Sequence, residues 1–152
     1  MPATITIRVQ SHDFDVAKEA ELLRAEGRNV GAIVTFTGIC RDDDGALAAL
    51  ELEHYPGMAE EELRRVAQTA AERWTLSGIT IVHRHGRLTP GDNIVVVVTA
   101  AGHRRPALQA AEFTMDFLKT SAPFWKKEDH AGKARWVDAR DADDSAMERW
   151  KR

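Results

Sequence analysis

The chain has 152 residues, a formal net charge of -3 and a pI near 6.1, which suits one domain with a sizeable core and argues against a broad nucleic-acid-binding face. Hydrophobic residues at 43% and charged residues at 30% exclude both a disordered chain and a helical membrane protein, and the longest apolar run, around residues 94–98, is far too short to cross a bilayer. Cys40 is the only cysteine, so neither an internal disulfide nor a cysteine-rich metal cluster is available, and without a signal-peptide pattern at the start a cytoplasmic location is expected. Residues 4–9 alternate like a strand, and residues 15–26 read as a helix stopped at Gly27. Residues 30–40 form a strand with Ala32, Val34 and Phe36 on one face; the turn chemistry of Asp42-Asp43-Asp44-Gly45 then returns residues 46–55 as its hairpin partner.

Pro56-Gly57 breaks that strand, and residues 58–74 carry helical spacing through Leu63, Val66, Ala67, Ala70 and Trp74. Ser77-Gly78 leads into a strand at residues 79–85. After the turn from Leu88 to Asp92, residues 93–101 are apolar and β-branched enough for a central strand. Residues 104–118 form a helix, with Pro106 in its first turn and a stripe of Leu108, Ala111, Met115 and Leu118. A strand-like piece surrounds Trp136, and residues 141–150 read as a last helix. Hairpins mixed with single helices point to an α+β fold in one domain over residues 1–152.

The densest chemistry lies in Lys119-Thr-Ser-Ala-Pro-Phe-Trp-Lys-Lys-Glu128, where three ammonium groups crowd two aromatic rings directly after a helix. At about 100° per residue, Lys119 falls roughly 20° from Leu108 on the helix wheel and Arg104 about 40° to the other side, so both border the face expected to be buried. Burial disfavours the charged form of a lysine and brings it toward proton transfer or nucleophilic attack. A second reading has Lys119 complementing the helix dipole and snorkelling into water. Upstream, Gly102-His103-Arg104-Arg105 stands at a helix start, where unpaired N–H groups and cationic side chains favour an anion. Arg41, just past Gly38-Ile39-Cys40, is a third anion-binding candidate. Glu128 is either a partner of Lys126 and Lys127 or an acid or base in its own right.

Other chemistries lack support. His83 and His85 have a spacing that suits one strand face, but no third ligand stands nearby and no metal is expected. Cys40 reads as a nucleophile or as a small buried hydrophobe. No dinucleotide, P-loop, zinc-protease or serine-hydrolase motif is present.

Several blocks in fixed order resemble the large, catalytic subunit family of molybdopterin synthase. They are Gly31-Ala-Ile-Val-Thr-Phe-Thr-Gly38 with Arg41; Leu52-Glu-His-Tyr-Pro-Gly-Met58; His83-Arg84 with Gly86; Pro90-Gly-Asp92; His103-Arg104; Met115-Asp-Phe-Leu-Lys-Thr120; and Ala122-Pro-Phe-Trp-Lys-Lys-Glu128. The resemblance implies an α/β-hammerhead-like domain with a mixed or antiparallel sheet and an additional β-rich subdomain. It implies a sulfurtransferase that installs the dithiolene of molybdopterin on cyclic pyranopterin monophosphate (precursor Z). The sulfur comes from the C-terminal Gly-Gly thiocarboxylate of a small ubiquitin-like subunit. This chain ends in Glu148-Arg-Trp-Lys-Arg152 and is expected to be the acceptor enzyme rather than the carrier.

Carried over by position, the resemblance makes Lys119 and Lys126 the catalytic pair. Ile39, Cys40, Arg41, His103, Arg104, Lys127 and Glu128 join them in binding substrate, with no cofactor. It also implies a homodimer of this chain within a heterotetramer, with His103 and Arg104 reaching the neighbouring protomer's site. Lys119 is left as acid, base or transient covalent partner. The chain departs from the family in its short acidic loop at residues 42–45, in Ile39 where no cationic side chain is available, and in weak matching before Gly31 and after Arg140. Two other classes compete. A Schiff-base enzyme would be trapped by borohydride without a protein partner, and a noncatalytic phosphometabolite-binding relative would leave its ligand unchanged.

Overall fold

The computed structural model describes residues 2–27, 29–42, 45, 47–120, 124–130, 133–137 and 147–151. Two four-stranded sheets share the chain. The first has the order β1-β4-β6-β2, from β1 (Thr4–Gln10), β2 (Ala32–Ile39), β4 (Gly78–Arg84) and β6 (Asn93–Ala101); β1 and β4 are parallel and the other pairs antiparallel. The second is antiparallel throughout, in the order β5-β3-β7-β8, from β3 (Ala49–His54), β5 (Gly86–Leu88), β7 (Phe124–His130) and β8 (Lys133–Val137). The expected α+β class, with a mixed sheet and a separate β-rich part, is what forms.

Helices cover both faces of the first sheet, which is why β6 is apolar along its length rather than alternating. Val95 and Val97 of β6 and Ile79 and Ile81 of β4 pack under α2 (Met58–Trp74) and α3 (Arg104–Thr120). Val96, Val98 and Val82 point the other way, toward Leu23 of α1 (Val16–Arg24). Each fully buried valine or isoleucine here contributes about 1.5–3 kcal/mol. Asp15 caps α1 by accepting from the Lys18 N–H at 3.1 Å, and Glu19, buried in α1, pairs with Arg8 of β1. Among the described residues no helix is long and apolar enough to cross a membrane.

The expected hairpin between residues 30–40 and 46–55 does not form. β2 pairs with β6 in the first sheet, while β3 pairs with β5 and β7 in the second. The register of β2 shifts between Gly38 and Ile39, and Cys40 is tied to the 89–92 turn instead: its N–H donates to the Asp92 carbonyl at 2.7 Å and its carbonyl accepts from the Gly91 N–H at 2.8 Å. The chain thus crosses from one sheet to the other at Cys40. Asp43 and Asp44 of the expected turn lie outside the described residues. Phe36, expected on the same inward face as Ala32 and Val34, is 40% exposed, whereas those two pack against the α2–α3 core.

The buried face of α3 also differs from the expected stripe. Leu108 is 53% exposed, and the helix packs through Ala107, Ala110, Ala111, Phe113, Thr114, Met115 and Phe117. Small side chains let α3 lie close on β6, near enough for the Thr99 hydroxyl to donate to the Ala107 carbonyl at 2.7 Å. At the start of α3 the backbones of Gly31 and Gly102 nearly touch; a Cβ on Gly31 would sit 2.2 Å from the Gly102 carbonyl oxygen. At the tail, residues 149–151 form a 3-10 turn, and Trp150 stacks edge-on against Trp74 and Phe113. The rest of the expected helix, residues 141–146, lies outside the described residues.

Candidate functional site

The two sheets meet at the end of the β6–α3 unit marked by Asn93 and Thr120. Antiparallel pairing sets this geometry. Ile39 of β2 and His83 of β4 lie opposite Asn93 and Val95, and α3 runs back along β6 to deliver Lys119 to the same end. The strand β7, which sequence periodicity did not reveal, then carries Phe124, Lys126 and Glu128 on one face. The register places Lys126 opposite Leu52 and Glu128 opposite Leu50, and these leucines form a core with Cys40, Leu47 and Leu88.

His83 shows that these groups converge. Its ring lies nearly parallel to that of Phe124, 3.8 Å away at 12°, and its Nδ1 is 2.8 Å from the Arg84 carbonyl oxygen. A carbonyl only accepts, so Nδ1 carries the proton and Nε2 holds the lone pair. Burial, chiefly, lowers the pKa of His83 to about 4; the Arg84 carbonyl opposes that, and the nearby charges of Lys119, Lys126 and His54 push it further down. Both lysines, from α3 and from β7, therefore act on one neutral imidazole. His54 continues the cluster, with its ring 5.9 Å from Phe124 and 4.4 Å from His85.

Cys40 also feels the charge of Lys126. Its thiol is 2% exposed and its pKa is raised, first by burial, then by the carboxylates of Asp92 and Glu128, with Lys126 opposing. Burial and the raised pKa favour the reading of Cys40 as a small buried hydrophobe over that of a nucleophile. Arg41 follows it as an exposed side chain, and Ile39 precedes it, 55% exposed. Lys119 and Lys126 both act on His83 beside the Phe124 ring, and Arg41 is exposed just past Cys40.

Two expectations change. Lys119 is exposed in the chain rather than desolvated, because the face of α3 that packs is centred on Ala107, Ala110 and Thr114. Lys127 points to the opposite face of β7 from Lys126, in register with Glu51 and beside Arg87 and Asp129, since adjacent strand residues alternate. His103 and Arg104 are at the far end of α3: fifteen residues separate Arg104 from Lys119, about 22 Å along the axis. One chain therefore does not bring all the expected residues together. His83 and His85, read as a strand-face pair, are separated by the end of β4, and among the described residues no group of three ligating side chains could hold a metal ion. The stacking of His83 on Phe124 was not foreseen. Its signal was the short range of sequence around it, His83-Arg84 followed by Gly86, whose partner Phe124 is too distant in sequence to be paired with it by spacing.

The fold is thus an α+β scaffold in which Lys119 and Lys126 approach a ring-walled junction between two sheets. Comparison with known proteins gives the family. The family model described as MoaE protein matches residues 9–121, starting well upstream of Gly31, where the sequence blocks begin. The molybdopterin synthase catalytic subunit of Rhizobium meliloti is 58% identical, covering 100% of this chain and 99% of that protein. Among solved structures, the molybdopterin biosynthesis MoaE protein from Burkholderia ambifaria superposes with a TM-score of 0.85 at 50% identity, covering 98% of this chain and 99% of that one. Molybdopterin synthase from Staphylococcus aureus gives 0.79 at 29% identity over 86% of this chain and 95% of that one. The chain belongs to the MoaE protein family.

Proposed function

We propose that this chain is the catalytic subunit of a molybdopterin synthase. It transfers sulfur from the C-terminal thiocarboxylate of a small ubiquitin-like subunit to cyclic pyranopterin monophosphate, forming the dithiolene of molybdopterin. The observation that carries the reading is the convergence of Lys119 and Lys126, from different elements, on His83 at the junction of the two sheets. Lys119 supplies proton transfer or a transient covalent bond at the reacting carbon. Lys126 stabilises the negative charge that develops as sulfur attacks, and Arg41 holds the phosphate and thereby the reacting carbons. Glu128 shares the face of Lys126 and steers it, while Lys127, on the other face, contributes at the outer edge of β7.

His103 and Arg104 join this site from a second copy of the chain. Their distance of about 22 Å along α3 from Lys119 is what favours that arrangement over a site complete in one chain. The family's heterotetramer, two copies of this chain with a small subunit at each end, satisfies it.

The test mixes the protein with a thiocarboxylated Gly-Gly small subunit and cyclic pyranopterin monophosphate and follows molybdopterin formation. Native chain is expected to make product, and Lys119→Ala to lose about a hundredfold or more in turnover while still binding the small subunit. Unchanged turnover in Lys119→Ala removes that residue from the chemistry. Absence of product from folded native chain that binds the small subunit leaves a noncatalytic relative.

A further inference from the structure

β2 stands at one edge of the first sheet, held on one side by β6, and among the described residues no strand pairs with its other side. Edge strands in natural proteins carry charges, prolines or bulges that discourage pairing with another chain. The opposite edge, β1, has the exposed Arg8 within it. β2 reads Ala-Ile-Val-Thr-Phe-Thr-Gly-Ile, eight residues without a charge or a proline, and its register stays regular until Gly38. Phe36 and Ile39 are 40% and 55% exposed along it. Such a neutral edge meets a copy of itself without setting like charges against each other. The start of β2 is also locked to the corner that presents His103 and Arg104. There the Gly31 N–H donates to the Ala101 carbonyl at 2.9 Å, and a Cβ on Gly31 would lie 2.2 Å from the Gly102 carbonyl oxygen. Beyond its other end come Cys40 and Arg41.

We propose that the outer edge of β2 is the surface on which a second copy of this chain docks, β2 against β2 in antiparallel pairing, so that the two first sheets run on as one. The inference rests on the reading in which His103 and Arg104 complete the site of a neighbouring copy, and it names the surface that brings them there. A self-complementary contact needs a two-fold axis, and for two antiparallel strands that axis stands perpendicular to the sheet. It keeps both copies of α3, which packs on β6 and β2, on the same face and reverses their directions. The lengths agree. From Ala32 to Ile39 is seven steps, about 23 Å of strand, against about 22 Å of α3 between Arg104 and Lys119. With the axis near Phe36, the start of the second copy's β2 lies beside Ile39 and Cys40. The corner fastened to that start carries His103 and Arg104 to the end of α3 where Lys119 stands. Docking through β1 would hold them two strands further away, behind β4 and β6.

Charge exchange at Phe36, beside the axis, tests the pairing. Phe36→Lys and Phe36→Glu each set like charges across the axis, whereas an equal mixture of the two sets ammonium against carboxylate. Sedimentation equilibrium of the chain alone, without substrate or small subunit, is expected to show a dimer for the native protein. Each variant should raise the dissociation constant by about tenfold or more, and the mixture should associate about tenfold more tightly than either variant by itself. Circular dichroism checks that the variants are folded; should one unfold, Thr35→Lys and Thr35→Glu, at the exposed neighbouring position, repeat the exchange. A monomeric native chain, dimers undiminished in both charge variants, or weakened dimers that do not recover on mixing overturns the β2 contact. Native chain that makes molybdopterin alongside any of those results keeps the synthase reading. The full charge-exchange pattern in native chain and variants that make no product keeps the contact and overturns the reading of the site instead.

Discussion

The two ends of the β6–α3 unit are built differently. At the end where the strand turns into the helix, Gly31 and Gly102 pack backbone against backbone, and His103 and Arg104 stand exposed. At the other end, His83 of the first sheet and Phe124 and His54 of the second form a wall, beside a buried thiol and the Lys126 and Glu128 that share one face of β7. Cationic side chains occur at both ends, but only the second has a wall to hold a ligand against them. The exposed His103 and Arg104 of the first end fit the proposal that they complete the walled end of a second copy.

The largest effect that would break this pairing comes from mixing two inactive chains. Arg104→Ala and Lys119→Ala proteins are each expected to lose molybdopterin formation. If the halves belong to different copies, subunit exchange creates hybrid dimers in which one site lacks both residues and the other is intact. With random exchange, about half the dimers are hybrids, and activity should return to about a quarter of native. Failure to recover any activity from exchanged, folded dimers would put all the functional residues within one copy, against the length of α3.

Acid sensitivity sharpens the contrast by acting through the walled end. In the native state, burial lowers the pKa of His83 to about 4, against 6.5 for an ordinary histidine. Below about pH 6.5 the unfolded chain gains a proton that the folded chain refuses. The stabilisation associated with neutral His83 is therefore complete above that pH and is lost progressively as pH falls to about 4. A shift of this size corresponds to about 3 kcal/mol over that window. Urea denaturation at a series of pH values from 7 to 4 should show the decline, and His83→Gln should flatten it. A native stability that holds constant over this range would mean that the ring is not buried in the neutral form.

Most of the scaffold was legible because its elements carry local signals. The boundaries of α2 were marked by Pro56-Gly57 and by the run through Leu63, Val66, Ala67 and Ala70, and β6 by its unbroken apolar residues. The second sheet was harder to read. The sequence of β7, Phe-Trp-Lys-Lys-Glu-Asp-His, has no apolar alternation, because Lys126 and Glu128 share the face of Phe124 opposite Leu52 and Leu50. The β2–β3 hairpin was misread for a related reason: a turn of aspartates and glycine reports a reversal of direction but not which sheet the chain enters, and that is decided by Cys40 bonding to the distant 89–92 turn. In the site, residue blocks pointed to Lys119, Lys126 and Arg41, but the separation of Lys126 from Lys127 needed strand geometry. The separation of Arg104 from Lys119 could be read from helix length as soon as the helix was recognised.

The smallest effect tests the side of α3 that faces outward near its first end. The expected apolar stripe ran through Leu108, the largest aliphatic side chain in the helix's first half, whereas the structure buries the smaller Ala107, Ala110 and Ala111 against β6 and leaves Leu108 53% exposed. Leu108→Ala should consequently change stability by less than about 0.5 kcal/mol, the lost contacts being offset in part by alanine's helix propensity. A loss of about 2 kcal/mol or more that shrinks as protein concentration falls would show that a second chain covers Leu108. The contact between copies would then extend a full turn past Arg104, rather than being confined to the turn and first residues that present His103 and Arg104.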